Sequence, residues 1–315
     1  MSAMIHTLKT EIQKVIIGQE NLVDNLLIGL ITGGHILVES VPGLAKTTAI
    51  NTLAKALGID FKRIQFTPDL LPSDLTGSQI YNPKSGEFSI KQGPIFTNLL
   101  LADEINRSPA KVQSALLEVM AERQVTIANE SFKVDEPFLV MATQNPVEQE
   151  GTYQLPEAQL DRFMLKTVLD YNTPEEELEV VNRVAVNGFE TVNQVANIDD
   201  INKIRAEFKQ VHMDEAVKQY ILQIVFATRY PQKYGLDELQ DLIEFGASPR
   251  GSIDLFKASC AKALIRGNDF VTPLDVASVV TEVLQHRLVL SYQAQADNIS
   301  ARSIIQKILK VIKAP

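Results

Sequence analysis

His35-Ile36-Leu37-Val38-Glu39-Ser40-Val41-Pro42-Gly43-Leu44-Ala45-Lys46-Thr47-Thr48 decides how the rest of the chain is read. A short apolar run, His35–Glu39, passes through a proline–glycine turn into a helical pattern over Lys46–Leu57. Strand, tight loop, lysine and hydroxyl in that order can surround phosphates. Backbone N–H groups and the helix N-terminus face the anion, the lysine reaches its outer oxygens, and the hydroxyl is placed to ligate Mg2+. The strict pattern G-x-x-x-x-G-K-[ST] fails twice, because Ser40 and Ala45 stand where glycines are expected and only Gly43 remains. A serine suits position 40 only with a negative φ or little strain. Taken alone, the stretch reads equally well as an ordinary helix N-terminus.

Leu99-Leu100-Leu101-Ala102-Asp103-Glu104 changes that balance. It is an apolar strand ending in two acids, and the carboxyl edge of a parallel sheet is where ligands bind. An aspartate there can hold Mg2+, and a glutamate after it can orient and deprotonate a water. A second apolar strand, Phe138–Thr143, ends in Gln144-Asn145-Pro146, where the Asn145 amide can bond a terminal phosphate or form a turn before the proline. Two arginines complete the set. Arg162 stands just ahead of a strand in Leu160-Asp161-Arg162-Phe163, and Arg250 lies in the first turn of a helix begun by Ser248-Pro249. Cations avoid that end of the helix dipole, which suggests an anionic partner.

Strand-length apolar runs at His35–Glu39, Phe61–Phe66, Asn98–Ala102, Phe138–Thr143 and Phe163–Leu169 alternate with helical patterns. One of these patterns is Pro109–Glu122, with Ser108 as its expected N-cap. The alternation predicts an α/β fold with a parallel sheet buried on both faces. Two hairpins interrupt it, Gln79–Lys91 and Val125–Val134. After Asn172-Thr173-Pro174 the patterns are helical, with Thr173, Ser248-Pro249 and Thr272-Pro273 as helix starts. The expected organisation is an α/β domain over 1–171 and an all-helical domain over 172–315.

The 315 residues, 45% of them hydrophobic and 22% charged, suit two globular domains. A net charge of −9 argues against nucleic acid as a partner, since phosphate neutralisation dominates such binding. Lys307, Lys310 and Lys313 are spaced as a solvated helix face. No apolar run approaches the ~20 residues that cross a bilayer. The first ten residues carry no secretory pattern, and the lone Cys260 reads as a small buried hydrophobe. A cytoplasmic protein is expected.

The motifs Ile17-Gly18-Gln19, ESVPGLAKT from Glu39, LLADEINR from Leu100, ATQNP from Ala142, LPEAQLDRF from Leu155 and GASPR from Gly246 occur in an order that resembles the AAA+ superfamily. Over nearly the whole chain the resemblance is to its MoxR family. It implies ATP and Mg2+ as cofactors. The nucleotide would be held by Val41, Pro42, Gly43, Leu44, Ala45, Lys46, Thr47 and Thr48, with Ile17 and Gly18 at the adenine and Thr47 and Asp103 at the metal. Glu104 would be the catalytic base and Asn145 the first sensor. Arg162 would be an arginine finger reaching a neighbouring subunit, with Arg107 a further interface arginine. Arg250 would be a second sensor, bringing the helical lid onto the nucleotide. The hairpin around Gly77–Gly93 would be the family's insert and Val125–Val134 its pre-sensor hairpin, both facing the pore of a ring, expected to be a hexamer. The implied activity is ATP hydrolysis coupled to chaperoning the assembly, activation or metal insertion of a client, such as a von Willebrand factor A-domain protein. The rivals are an ATP-binding scaffold with little turnover, which Glu104 and Arg162 speak against, a magnesium-chelatase-like motor and a DNA-remodelling motor.

Overall fold

The structure is a computed structural model, and it describes every residue except 1–2, 42, 147–150, 187 and 189, together with the side chains of 184 and 186. Helices α1 (Ala3–Gln13) and α2 (Glu20–Thr32) precede strand β1 (Ile36–Glu39). Then come α3 (Lys46–Leu57), β2 (Phe61–Gln65), the single-turn α4 (Pro72–Thr76) and a hairpin of β3 (Gly77–Asn82) and β4 (Glu87–Gln92). Strand β5 (Leu99–Asp103), α5 (Ala110–Glu122) and a second hairpin, β6 (Gln124–Ile127) with β7 (Glu130–Lys133), follow. Strand β8 (Leu139–Gln144), α6 (Glu157–Leu160) and β9 (Leu165–Val168) complete the α/β part.

Strands β1, β2, β5, β8 and β9 form one parallel sheet in the order β2-β5-β8-β1-β9. Side chains alternate across a strand, and here that alternation divides the core in two. Ile36, Val38, Leu99, Leu101, Leu139 and Met141 pack with helices α1, α2 and α3. Leu37, Leu100, Ala102, Val140 and Ala142 pack on the other face with α4 and α5. The apolar run Leu99–Ala102 is therefore fully buried. Burial on both faces holds for the central strands and fails at the sheet's edges. In β2, Ile64 is buried while Lys62, Arg63 and Gln65 are exposed. An edge strand lacks a neighbour on one side, and its polar residues are what it shows there.

Helix α5 starts one residue later than its sequence suggests. Pro109, with φ −59 and ψ 153, is the N-cap, and the Ser108 hydroxyl donates back to the Ile105 carbonyl at 3.2 Å instead of capping. Its neighbour Pro109 fits the extended N-cap backbone, so the serine is left to close the preceding turn.

Beyond β9 come α7 (Pro174–Val180), α8 (Ile198–Phe208), α9 (Glu215–Arg229), the short strand β10 (Ile243–Phe245) and α10 (Pro249–Ile265). Helix α11 (Pro273–Leu284), β11 (Val289–Leu290), α12 (Tyr292–Ala296) and α13 (Ala301–Val311) end the chain. The expected caps are in place: Thr173, Ser248 and Thr272 each accept a backbone N–H from the first turn they open. One antiparallel pair, β10 with β11, interrupts the helices, a feature too short to leave a periodic signature. The helical core is continuous with the α1–α3 face of the sheet, through residues such as Ile204, Val225, Leu255 and Val280. The three C-terminal lysines are exposed. Among the described residues no helix is long and apolar enough to cross a membrane.

Candidate functional site

Three strand ends meet at the carboxyl edge of the sheet. β1 leads into the loop before α3, β5 ends at Asp103, and β8 ends at Gln144 and passes to Asn145. The Ser40 N–H donates to the Gln144 carbonyl at 3.1 Å, and the buried Ser40 hydroxyl donates to the Val41 carbonyl at 3.1 Å. Among the described residues the left-handed non-glycines are Ala45, Glu104, Arg123, Ala128 and Asn298, so Ser40 has no positive φ to sustain. The strain lies at the other substituted glycine. Ala45 is the N-cap of α3 with φ 54 and ψ 21, which costs an L-residue about 1 kcal/mol. Gly43 has φ +89, and a Cβ there would meet nothing within 4 Å, so the loop encloses open space. Pro42 lies outside the described residues.

Asp103 and Glu104 are bound together by Thr143. Its hydroxyl donates to Asp103 Oδ1 at 2.6 Å and accepts the Glu104 N–H at 2.9 Å. Asp103 Oδ2 accepts two hydrogen bonds from Arg63, at 2.6 and 3.1 Å. Glu104 has φ 57, a left-handed backbone in a chain whose strand has just ended. Its Oε2 accepts from Gln65 Nε2 at 2.7 Å and lies 3.1 Å from Arg107 Nε. Burial pulls the Lys46 ammonium below the usual lysine range, against the carboxylates of Asp103 and Glu104, which hold it up.

Gly43 to Thr48, Arg63, Gln65, Asp103, Glu104 and Asn145 line a cavity of about 400 Å³. A second cavity of about 260 Å³ shares Gly43, Leu44, Ala45 and Thr48 and adds the apolar Val15, Ile17 and Val180 with the amides of Gln19 and Asn172. Gln19 Nε2 donates to Asn172 Oδ1 at 2.8 Å, and Asn172 Nδ2 donates to the Ile17 carbonyl at 3.3 Å. The two adjoining cavities thus offer a polar, charged end and an apolar end, a polarity that suits a nucleoside triphosphate. Val41 and Gly18 line neither part. Gly18, at φ +73, makes room for the Glu176 carboxylate, which a Cβ would meet at 2.6 Å.

The donors also fit Mg2+. A hydroxyl (Thr47) and a carboxylate (Asp103) are hard oxygens on one cavity wall, and Mg2+ takes one or two protein oxygens beside substrate phosphates and water.

Arg162 and Arg250 stand elsewhere. With Asp161, Asp254 and Lys257 they line a third cavity of about 330 Å³ that has no residue in common with the first two. Arg162 Nη1 donates to the Leu117 carbonyl at 2.8 Å, and Arg250 Nη1 lies 3.5 Å from Asp161 Oδ2. Arg250, expected to bring the helical lid onto the nucleotide, thus lines a different cavity from Lys46 and Asp103. The reason is the Asp161 carboxylate, which accepts from the Ser248 hydroxyl at 3.0 Å and anchors the start of α10 beside Arg162.

Sequence reading missed Arg63, Gln65, Thr143 and Asn172. Arg63 and Gln65 are two apart on one strand, hence on one face, but only the strand register, which pairs Gln65 with Asp103, brings them to the site.

Residues 35–165 match the ATPase family associated with various cellular activities (AAA), and residues 239–308 match the AAA lid domain. Over 318 residues the chain is 46% identical to Chaperone MoxR1 of Mycobacterium tuberculosis, covering 100% of this chain and 84% of that one. It is 44% identical to the uncharacterised protein YeaC of Bacillus subtilis, covering 96% of this chain and 92% of that one. The crystal structure of a candidate ATPase from Cytophaga hutchinsonii aligns with a TM-score of 0.93 at 51% identity, covering 99% of this chain and 95% of that one.

Proposed function

The chain belongs to the MoxR family of AAA+ ATPases, and from that premise we propose that it hydrolyses ATP–Mg2+ at the interfaces of a ring and couples turnover to remodelling a protein client. One observation carries the interfacial part. The cavity with Lys46, Asp103 and Glu104 holds neither Arg162 nor Arg250, and the cavity with both arginines holds no phosphate loop. Each half is incomplete, and a neighbouring copy supplies the other.

In this reading the loop from Gly43 to Thr48 wraps the phosphates and Lys46 neutralises their outer oxygens. Ile17, with Val15 and Val180, holds the base. Mg2+, held at Thr47 and Asp103, supplies charge neutralisation on the phosphates when bound. Glu104 takes the proton of the attacking water, with Gln65 holding its Oε2. Asn145 orients the water or the terminal phosphate. Arg162 and Arg250 serve the neighbour's nucleotide, where an arginine finger contributes roughly 10³–10⁵ in kcat.

The α/β core runs to about Tyr171 and the lid over 172–315. The ring is a hexamer in the cytoplasm. The hairpins β3–β4 and β6–β7 face its pore, and the exposed Tyr81–Phe88 pair, with centroids 5.1 Å apart, gives the first of them an aromatic grip. A relative that bears the name chaperone supports a client protein over a nucleic acid, and a von Willebrand factor A-domain protein awaiting assembly or a metal is the client class the resemblance suggests. Glu104→Gln tests the chemistry: the protein keeps ATP and loses hydrolysis. Persistent turnover in that variant overturns the assignment of Glu104.

A further inference from the structure

Arg287 follows α11, outside the lining of the cavity that holds Lys46 and Asp103, and its side chain is 1% exposed. A guanidinium so buried needs every donor matched, and this one has them. Nε donates to Asp161 Oδ1 at 2.8 Å, Nη2 to Asp254 Oδ2 at 2.5 Å and to the Phe163 carbonyl at 2.9 Å, and Nη1 to the Val283 carbonyl at 2.6 Å and the Met164 carbonyl at 3.3 Å. These partners lie on three different segments: the turn that carries Arg162, helix α10 that carries Arg250, and α11. Asp161 is the joint. It is the residue before Arg162, it bonds the Ser248 hydroxyl that caps α10, and it lies 3.5 Å from Arg250.

Buried ion triads are seldom needed for stability, since well-packed apolar residues replace them at little cost. What an apolar plug cannot do is fix two carboxylates in direction. We infer that Arg287 is a positioning residue for hydrolysis: through Asp161 and Asp254 it locks Arg162 and Arg250 into one unit, which reaches the neighbouring subunit's nucleotide as a pair. This rests on the interfacial reading above.

The test is Arg287→Lys in the full-length protein, which keeps the charge and loses the fork. The expected kcat for ATP falls tenfold or more, on the order of the loss that follows a misplacement near 1 Å. KM and binding of a fluorescent ATP analogue stay within about twofold, because the variant's own phosphate loop is untouched. Mixing separates positioning from general damage. Arg287→Lys mixed with Glu104→Gln recovers turnover, since one supplies intact loops and the other intact arginines, whereas Arg287→Lys mixed with Arg162→Ala does not. A wild-type kcat, a raised KM at unchanged kcat, or rescue by Arg162→Ala overturns the inference. If Arg287→Lys does not melt cooperatively, Asp161→Asn goes through the same assays, and wild-type turnover from it counts equally against the inference. The two readings fail differently: an active Arg162→Ala protein sinks the interfacial reading and this inference together, whereas an inactive Arg162→Ala beside a fully active Arg287→Lys sinks this one alone.

Discussion

Arg63 holds Asp103 through two hydrogen bonds to a single carboxylate oxygen, at 2.6 and 3.1 Å, while Thr143 takes the other oxygen. The carboxylate assigned to Mg2+ is thus already paired with a cation from the edge strand. A metal complex that approaches Asp103 must loosen that pair. Arg63 is about half exposed, so the pair is weak, on the order of 1 kcal/mol or less. Arg63→Met in a Glu104→Gln background is expected to lower the Mg2+ concentration for half-maximal nucleotide binding by roughly two- to tenfold. A higher Mg2+ requirement would mean that Arg63 holds phosphate and does not compete with the metal.

The two departures of the phosphate loop from its glycine pattern are expected to behave oppositely. Ala45→Gly relieves a left-handed alanine and raises Tm by roughly 2 °C, the size expected for about 1 kcal/mol in a domain of this length. Ser40→Gly removes a buried hydroxyl that bonds the Val41 carbonyl and relieves nothing, so Tm falls or stays level. Thermal melts of the two variants side by side decide it. A rise for Ser40→Gly with none for Ala45→Gly would contradict the backbone assignment.

The acids at strand ends and the loop between β1 and α3 could be placed from sequence because central parallel strands are continuous apolar runs, and an abrupt change to Asp103-Glu104 or Gln144-Asn145 marks where they leave the sheet. Arg63 and Gln65 could not. Phe61–Phe66 reads as one more buried strand, and its place at the edge follows only from the pairing of 61–65 with 99–103 and from the sheet order. Arg250 was legible as an oddity at a helix start, but its destination was not. That depends on the bond from Arg287 to Asp161, partners 126 residues apart whose meeting no local pattern announces. Gly18 was noticed for its motif, while its steric reason, the Glu176 carboxylate, lies in a helix distant in sequence.

Two buried histidines are expected to weaken the fold in acid. Burial, with Arg123 adding to it, pushes the His35 imidazole down to about 3 from its usual 6.5. Its Nδ1 accepts the Val140 N–H at 3.0 Å, so Nε2 carries the proton and donates to the Met120 carbonyl at 3.2 Å. His286 is lowered as well, by burial first and then by Arg287. Between the folded and unfolded values the unfolded chain binds the extra proton. Stability therefore falls as pH drops below about 6.5, by up to about 1.4 kcal/mol per pH unit for His35, and His286 acts in the same direction. Denaturant melts at pH 7.5, 6 and 5 are expected to show that loss, and His35→Gln is expected to show a shallower one. An equal slope in both proteins would remove His35 from the account.

In the proposed ring, one catalytic site is built from two copies of the chain. Arg162→Ala leaves a subunit with an intact phosphate loop, and Glu104→Gln leaves one with intact arginines. The measurement is steady-state ATP hydrolysis by each protein alone and by an equimolar mixture. Near-silence from each and clear recovery on mixing are expected. Wild-type turnover by Arg162→Ala alone, at a dilution where the protein is monomeric, would contradict a shared site.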